Sequence, residues 1–163
     1  VSPGMTSALT SALRKETKKL LIMKLSPNVT NIEEIALAAQ DGGADAVSAI
    51  NTVVGMGIDI NTKKSKLYTV LGGLSGPAIK PIALANIYKI NKAINIPIIG
   101  IGGISCMEDI IEFILAGADL VQIGTMNYNN PNIGIRLSDE LDSYCQLNNI
   151  NSLQELKGKV RIG

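Results

Sequence analysis

The chain has 163 residues, 46% of them hydrophobic, and 15 basic against 14 acidic side chains give it a net charge of +1. That length suits one domain with an ample apolar core, and so balanced a charge offers no field for nucleic acid or an anionic membrane. There is no histidine, and Cys106 and Cys145 lie far apart with no C-x-x-C spacing, which argues against metal sites and His-dependent triads.

Along the chain the hydrophobic period switches repeatedly between helix-like and strand-like, the pattern of parallel β/α units, and about four such units are legible. A first helix is expected from Thr6 to Lys19, with Leu9, Leu13 and Leu20 on one face and Arg14, Lys15, Lys18 and Lys19 on a solvated opposite face. A strand follows from Leu20 to Leu25 and breaks at Ser26-Pro27-Asn28. The next helix, Asn31 to Asp41, turns Ile32, Ile35, Ala36 and Ala39 inward and stops at Gly42-Gly43. The strand from Ala46 to Ile50 then delivers Asn51-Thr52 at its C-terminal end.

From Val53 to Pro77 the sequence reads as a long irregular stretch, too apolar for disorder and therefore functional. A helix from Ala78 to Ala93 leads to a strand ending in Gly102-Gly103, and a helix from Met107 to Ala116 leads to a strand ending in Gly124-Thr125. Both runs read as strands buried on two faces. The small residues at their ends let a ligand touch backbone, and a helix start capped by Ser105 with Glu108 adds donors for an anion such as phosphate. An amphipathic helix from Asn132 to Tyr144 and a capping box at Ser152-Leu153-Gln154-Glu155 close the chain.

In a parallel β/α array all strand C-termini face one side, so Lys24, Asn51, Thr52, Gly102, Gly103, Gly124 and Thr125 should meet around one pocket. A lysine in the apolar first strand must be paired, snorkel, or reach solvent at the strand end. Asn51 and Thr52 offer an amide and a hydroxyl to a planar ligand, or serve as turn residues. Cys106 has no base partner and reads as a small helix-start residue.

Five segments in order carry a family resemblance: Lys24-Leu25-Ser26-Pro27-Asn28; Ile50-Asn51-Thr52 running on to Gly55-Met56-Gly57-Ile58-Asp59-Ile60; Gly72-Gly73-Leu74-Ser75-Gly76-Pro77-Ala78-Ile79-Lys80-Pro81; Gly100-Ile101-Gly102-Gly103-Ile104-Ser105; and Val121-Gln122-Ile123-Gly124-Thr125. Over residues 20 to 158 the chain resembles the C-terminal half of a class 1B dihydroorotate dehydrogenase catalytic subunit. The resemblance implies an α/β fold, half of a (β/α)8 TIM barrel, with residues 1–163 forming a partial FMN-dependent barrel domain. It implies that Lys24 contacts the FMN ring and Ile50 and Gly76 flank it, that Gly102, Gly103, Gly124 and Thr125 hold the phosphate, and that Asn51 and Thr52 bind the pyrimidine ring of dihydroorotate or orotate.

The same resemblance implies oxidation of dihydroorotate to orotate in pyrimidine biosynthesis, a catalytic homodimer, and an electron-transfer subunit carrying FAD and an iron–sulfur cluster. The family's cysteine base falls ahead of Val1, so no catalytic residue is expected in this chain, which reads as a truncated product, a partial gene model or one piece of a split protein. Two scattered thiols, no membrane-length apolar run and no signal-peptide pattern at Val1-Ser2-Pro3-Gly4 lead to the expectation of a cytoplasmic protein. Two other readings are a dihydropyrimidine dehydrogenase domain and a half-barrel that binds a phosphorylated ligand without chemistry.

Overall fold

The computed structural model describes residues 2–161. A helix, α1 (Pro3–Glu16), precedes four parallel strands, β1 (Ile22–Leu25), β2 (Ala46–Ala49), β7 (Ile98–Ile101) and β8 (Leu120–Gln122), paired in the order β1-β2-β7-β8. Helices α2 (Ile32–Asp41), α3 (Lys80–Ala93) and α4 (Met107–Ala116) cross over between successive strands, and the short α5 (Met126–Asn129) and long α6 (Ile133–Leu147) follow the last one. Sequence order and strand order coincide, as in one arc of a β/α barrel.

Strand pairing sorts side chains onto two faces. Met23, Val47 and Ile98 share one rung, and Leu25, Ala49, Gly100 and Val121 another, all turned toward the helices. Gly100 lies there because a Cβ would meet the Phe113 ring at 2.4 Å, and Phe113 is fully buried at the centre of the helix layer. Ile32, Ile35, Ala36 and Ala39 of α2 are buried in the same core, as their spacing predicts. The opposite face carries the rung Lys24, Ser48, Ile99 and Leu120, buried at Ser48 in its middle but open at its two edges, where Lys24 is exposed and Leu120 is 62% exposed. Two-sided burial therefore holds for β2 but not for β8, and β1 and β8 are the sheet's edges.

Three further expectations need correcting. In α1 the inward residues are Thr6 and Thr10, while Leu9 and Leu13 are 55% and 40% exposed. The end of α2 comes too close for a leucine: a Cβ on Gly42 would sit 2.6 Å from the Thr10 Cβ, and the two threonine hydroxyls are satisfied by donating to the carbonyls of Ser2 and Thr6. Arg14, expected on a solvated face, donates instead to the Gly43 carbonyl and pairs with Asp45. The stretch after Asn51 is not irregular either. It folds as two small antiparallel pairs, β3 (Val53–Gly55) with β6 (Gly72–Leu74) and β4 (Ile58–Asp59) with β5 (Lys64–Ser65), before a 3-10 turn, Pro77–Ile79, feeds α3.

At the N-terminal ends of the strands, side chains cap free backbone donors. Asp45 accepts from the Leu21 N–H at 2.7 Å, and that backbone bond, more than the Arg14 guanidinium, holds its carboxyl below the ordinary range. Gln40 accepts from Asn95 N–H at 2.7 Å. Asp119 accepts from Ile98 N–H at 2.9 Å and from Lys157 at 2.6 Å.

Candidate active site

The C-terminal ends of the strands enclose an open-sided cavity of about 140 Å³. All nine residues singled out from the sequence line it: Lys24 from β1, Ile50, Asn51 and Thr52 after β2, Gly76 before the 3-10 turn, Gly102 and Gly103 after β7, and Gly124 and Thr125 after β8. Ser75, Ile79, Ile101, Ile104, Gln122 and Met126 complete the wall. The lining thus mixes isoleucines with a few polar groups and backbone-exposing glycines, the composition of a small-molecule site.

Lys24 is the only charged residue lining the cavity among the described residues. It is exposed on the open face of the sheet and forms no ion pair there, so it has reached solvent at the strand end and stands over the cavity at once. A cation with no facing carboxylate favours an anionic or electron-rich ligand. Asn51 Oδ1 accepts from the Thr52 N–H at 2.7 Å, which fixes the amide and leaves its NH2 group to face a ligand. The loop around it is held by Asn28, whose Nδ2 donates to the Thr52 carbonyl at 2.9 Å and whose Oδ1 accepts from Val54 N–H at 3.0 Å. Asn28 was legible as part of a motif, but its bracing role depends on a contact 24 and 26 residues away.

The glycines divide into two kinds. Gly103 has φ +78°, and a Cβ there would come within 2.8 Å of the Lys80 backbone nitrogen and 3.0 Å of the Gly76 carbonyl, so the fold itself demands glycine. At Gly124 a Cβ would meet nothing within 4 Å, so protein packing does not explain this glycine. Among the described residues, the backbone N–H groups of Gly103, Gly124 and Thr125 donate to no other group. Asn127 Nδ2 donates to the carbonyls of Ile123 at 2.7 Å and Gly124 at 3.1 Å, bracing the turn that presents two of them. Unpaired N–H groups beside open space fit a phosphate.

The start of α4 does not serve that purpose as the sequence suggests. Its N-cap is Cys106 rather than Ser105, and the capping carboxylate is Asp109 rather than Glu108. Asp109 Oδ2 accepts from Ser105 N–H at 2.7 Å, Ser105 Oγ at 2.9 Å and Cys106 N–H at 3.1 Å, so the helix N-terminus already holds an anion from its own chain. Burial works to raise the Asp109 carboxyl, but the Lys80 ammonium and the Ser105 and Cys106 donors outweigh it and bring it down to about 2. Burial pushes the Cys106 thiol up, and neither Cys106 nor Cys145 lines the cavity, so neither is an activated nucleophile or base for it.

The dihydroorotate dehydrogenase family profile matches residues 1–145 of this chain. The chain belongs to that family. It is 48% identical to the catalytic subunit of dihydroorotate dehydrogenase B (NAD(+)) from Bacteroides thetaiotaomicron over 162 residues, which is 99% of this chain and 54% of that protein. It is also 48% identical to the corresponding subunit from Alkaliphilus oremlandii, across 98% of this chain and 53% of that protein. The crystal structure of DHODH in complex with ferulenol from Eimeria tenella superposes with a TM-score of 0.79 at 24% identity, over 97% of this chain and 48% of that one, and shows the shared fold. The chain spans about half the length of the curated relatives it matches. No helix among the described residues is long and apolar enough to cross a membrane.

Proposed function

We propose that this chain supplies the FMN-phosphate and substrate-ring side of a class 1B dihydroorotate dehydrogenase site, in an enzyme that oxidises dihydroorotate to orotate for pyrimidine biosynthesis. The observation that carries the reading is the convergence of nine residues on one cavity whose single cation among the described residues is Lys24 and whose lining includes the unpaired N–H groups of Gly103, Gly124 and Thr125. When bound, FMN supplies the two-electron acceptor for the oxidation.

The residues of this chain bind and orient. The N–H groups of Gly103, Gly124 and Thr125 hold the phosphate, with Gly102 letting the loop turn close beside it. Lys24 places positive charge at the flavin ring, where it favours electron-rich forms, and Ile50 and Gly76 pack against the ring. Asn51 and Thr52 present amide and hydroxyl groups to the N–H and C=O edge of the pyrimidine. None of them takes the substrate's C5 proton: among the described residues, no cysteine, histidine or carboxylate lines the cavity. The reading assigns that proton to a cysteine outside residues 1–163. It also places the chain in a cytoplasmic catalytic homodimer that passes electrons to a subunit carrying FAD and an iron–sulfur cluster, a division of labour matching the relatives' description as catalytic subunits.

The test compares residues 1–163 alone with an assembly that adds the remaining barrel strands of a matched relative. The assembly should retain FMN and oxidise dihydroorotate with an artificial acceptor, while the chain alone should show no turnover, since general base catalysis typically contributes 10²–10⁴-fold. Turnover by the chain alone would refute the division of roles. An assembly that binds no flavin would refute the site. An assembly that binds FMN but never oxidises dihydroorotate would favour the phosphate-binding module without chemistry.

A further inference from the structure

Behind the cavity wall, and lining none of it, lies a buried charge pair. Asp109 is 3% exposed, and both of its oxygens are engaged: Oδ1 accepts from Lys80 Nζ at 2.6 Å, and Oδ2 takes the three donors of Ser105 and Cys106. Lys80 reaches Glu112 Oε2 as well, at 2.9 Å. A buried carboxylate this fully satisfied is costly to assemble and adds little net stability over an apolar replacement, so what it brings is geometry.

That geometry concerns two cavity loops. Lys80 opens α3 immediately after the turn that follows Gly76, and Ser105 and Cys106 end the loop that begins at Gly102. The two loops touch at Gly103, whose absent Cβ would lie within 3.0 Å of both the Lys80 backbone nitrogen and the Gly76 carbonyl. The ion pair ties the base of one loop to the base of the other. The pair thereby limits how far the Gly103 N–H can shift relative to Gly124 and Thr125, which line the same cavity.

We infer that Lys80 and Asp109 are positioning residues for the phosphate end of the ligand, acting through the loop from Gly102 to Cys106 rather than by contact. The inference rests on the flavin reading above and deepens it. It makes a claim that a general stabilising role does not: loosening the pair should weaken binding of a flavin that has a phosphate and spare one that lacks it.

The experiment uses the assembled, flavin-loaded protein stripped to its apo form and titrated separately with FMN and riboflavin. Asp109→Asn and Lys80→Met should each weaken FMN binding by about tenfold or more, the scale of a lost charge-assisted hydrogen bond, and change riboflavin binding by less than about twofold. Lys80→Arg, which keeps a cation within reach of Asp109, should restore most of the FMN affinity. Should either first variant fail to fold, Ser105→Ala removes a single bond to Asp109 and should produce a smaller loss with the same preference for FMN. Equal losses for both ligands, or no loss for either, would overturn the positioning role while leaving the flavin site intact. A native protein that binds neither ligand would instead remove the flavin reading, and this inference with it.

Discussion

Gly103 and Gly124 both sit at the cavity, and the structure predicts that they fail in opposite ways when given a side chain. At Gly103 an alanine must adopt a left-handed φ of +78° and bring its Cβ to 2.8 Å from one backbone atom and 3.0 Å from another. The conformation costs about 1–2 kcal/mol and the overpacking against main chain about 1–3 kcal/mol, so Gly103→Ala should lose roughly 2–5 kcal/mol of unfolding free energy. That is a large part of the roughly 5–15 kcal/mol typical of a domain. At Gly124 no atom lies within 4 Å of the new Cβ, so Gly124→Ala and Gly124→Val should stay within about 0.5 kcal/mol of the parent. The valine's methyls would fill the open space beside the unpaired N–H groups, and FMN affinity should fall by about tenfold or more. Urea unfolding of the apo assembly gives the first quantity and flavin titration the second. A Gly103→Ala protein as stable as the parent would refute the steric argument, and a Gly124→Val protein with native FMN affinity would move the phosphate away from this turn.

Lys24 is exposed and pairs with no carboxylate, so Lys24→Ala should leave the melting temperature within a degree or two, on the order expected of a surface change, while FMN retention or the rate of flavin reduction drops; unchanged flavin content and reduction would remove it from the site. The isolated chain should self-associate or aggregate through β1 and β8, because Ile22 and Leu120 stand 39% and 62% exposed on those edge strands, and a compact monomer by sedimentation at micromolar concentration would contradict this. The Asp109 carboxyl is held down at about 2 in the fold against an ordinary 3.8, so its contribution is complete above about pH 5 and is lost progressively as pH falls through about 2. The urea midpoint of the parent should therefore fall more steeply over that interval than that of Asp109→Asn, and parallel curves would show that the carboxylate is not held as described.

Where the sequence alone suffices, the signal is local. A β-branched run ending in glycines marks a strand and its C-terminus together, and parallel connection then forces Lys24, Asn51, Gly103 and Gly124 to one side without further information. The periodicity of α2 located its buried face, because Ile32, Ile35, Ala36 and Ala39 fall on one stripe packed into the core. What escaped depends on approach distances that no spacing encodes. Leu9 and Leu13 were the apolar choice for the inner face of α1, but Gly42 approaches so closely that only Thr6 and Thr10 fit. The small strands from Val53 to Leu74 are two or three residues long, too short for any period to register. At α4 the cap moved by one residue because the Asp109 carboxylate can reach both Ser105 and Cys106, and a cysteine is a poor sequence marker of an N-cap.

The side-chain caps at the other end of the sheet have a consequence for alignment. Sliding β1 by one residue against β2 would take the Leu21 N–H away from Asp45, and sliding β7 against β8 would take the Ile98 N–H away from Asp119. Each carboxylate works as an indexing pin for one strand pair, set beyond reach of the cavity. Because a one-residue slip turns every side chain of a strand to the opposite face, the register each pin favours is the one that keeps Lys24 out of the helix layer and Gln122 at the cavity. The cavity at one end of the sheet is thus indexed from the other.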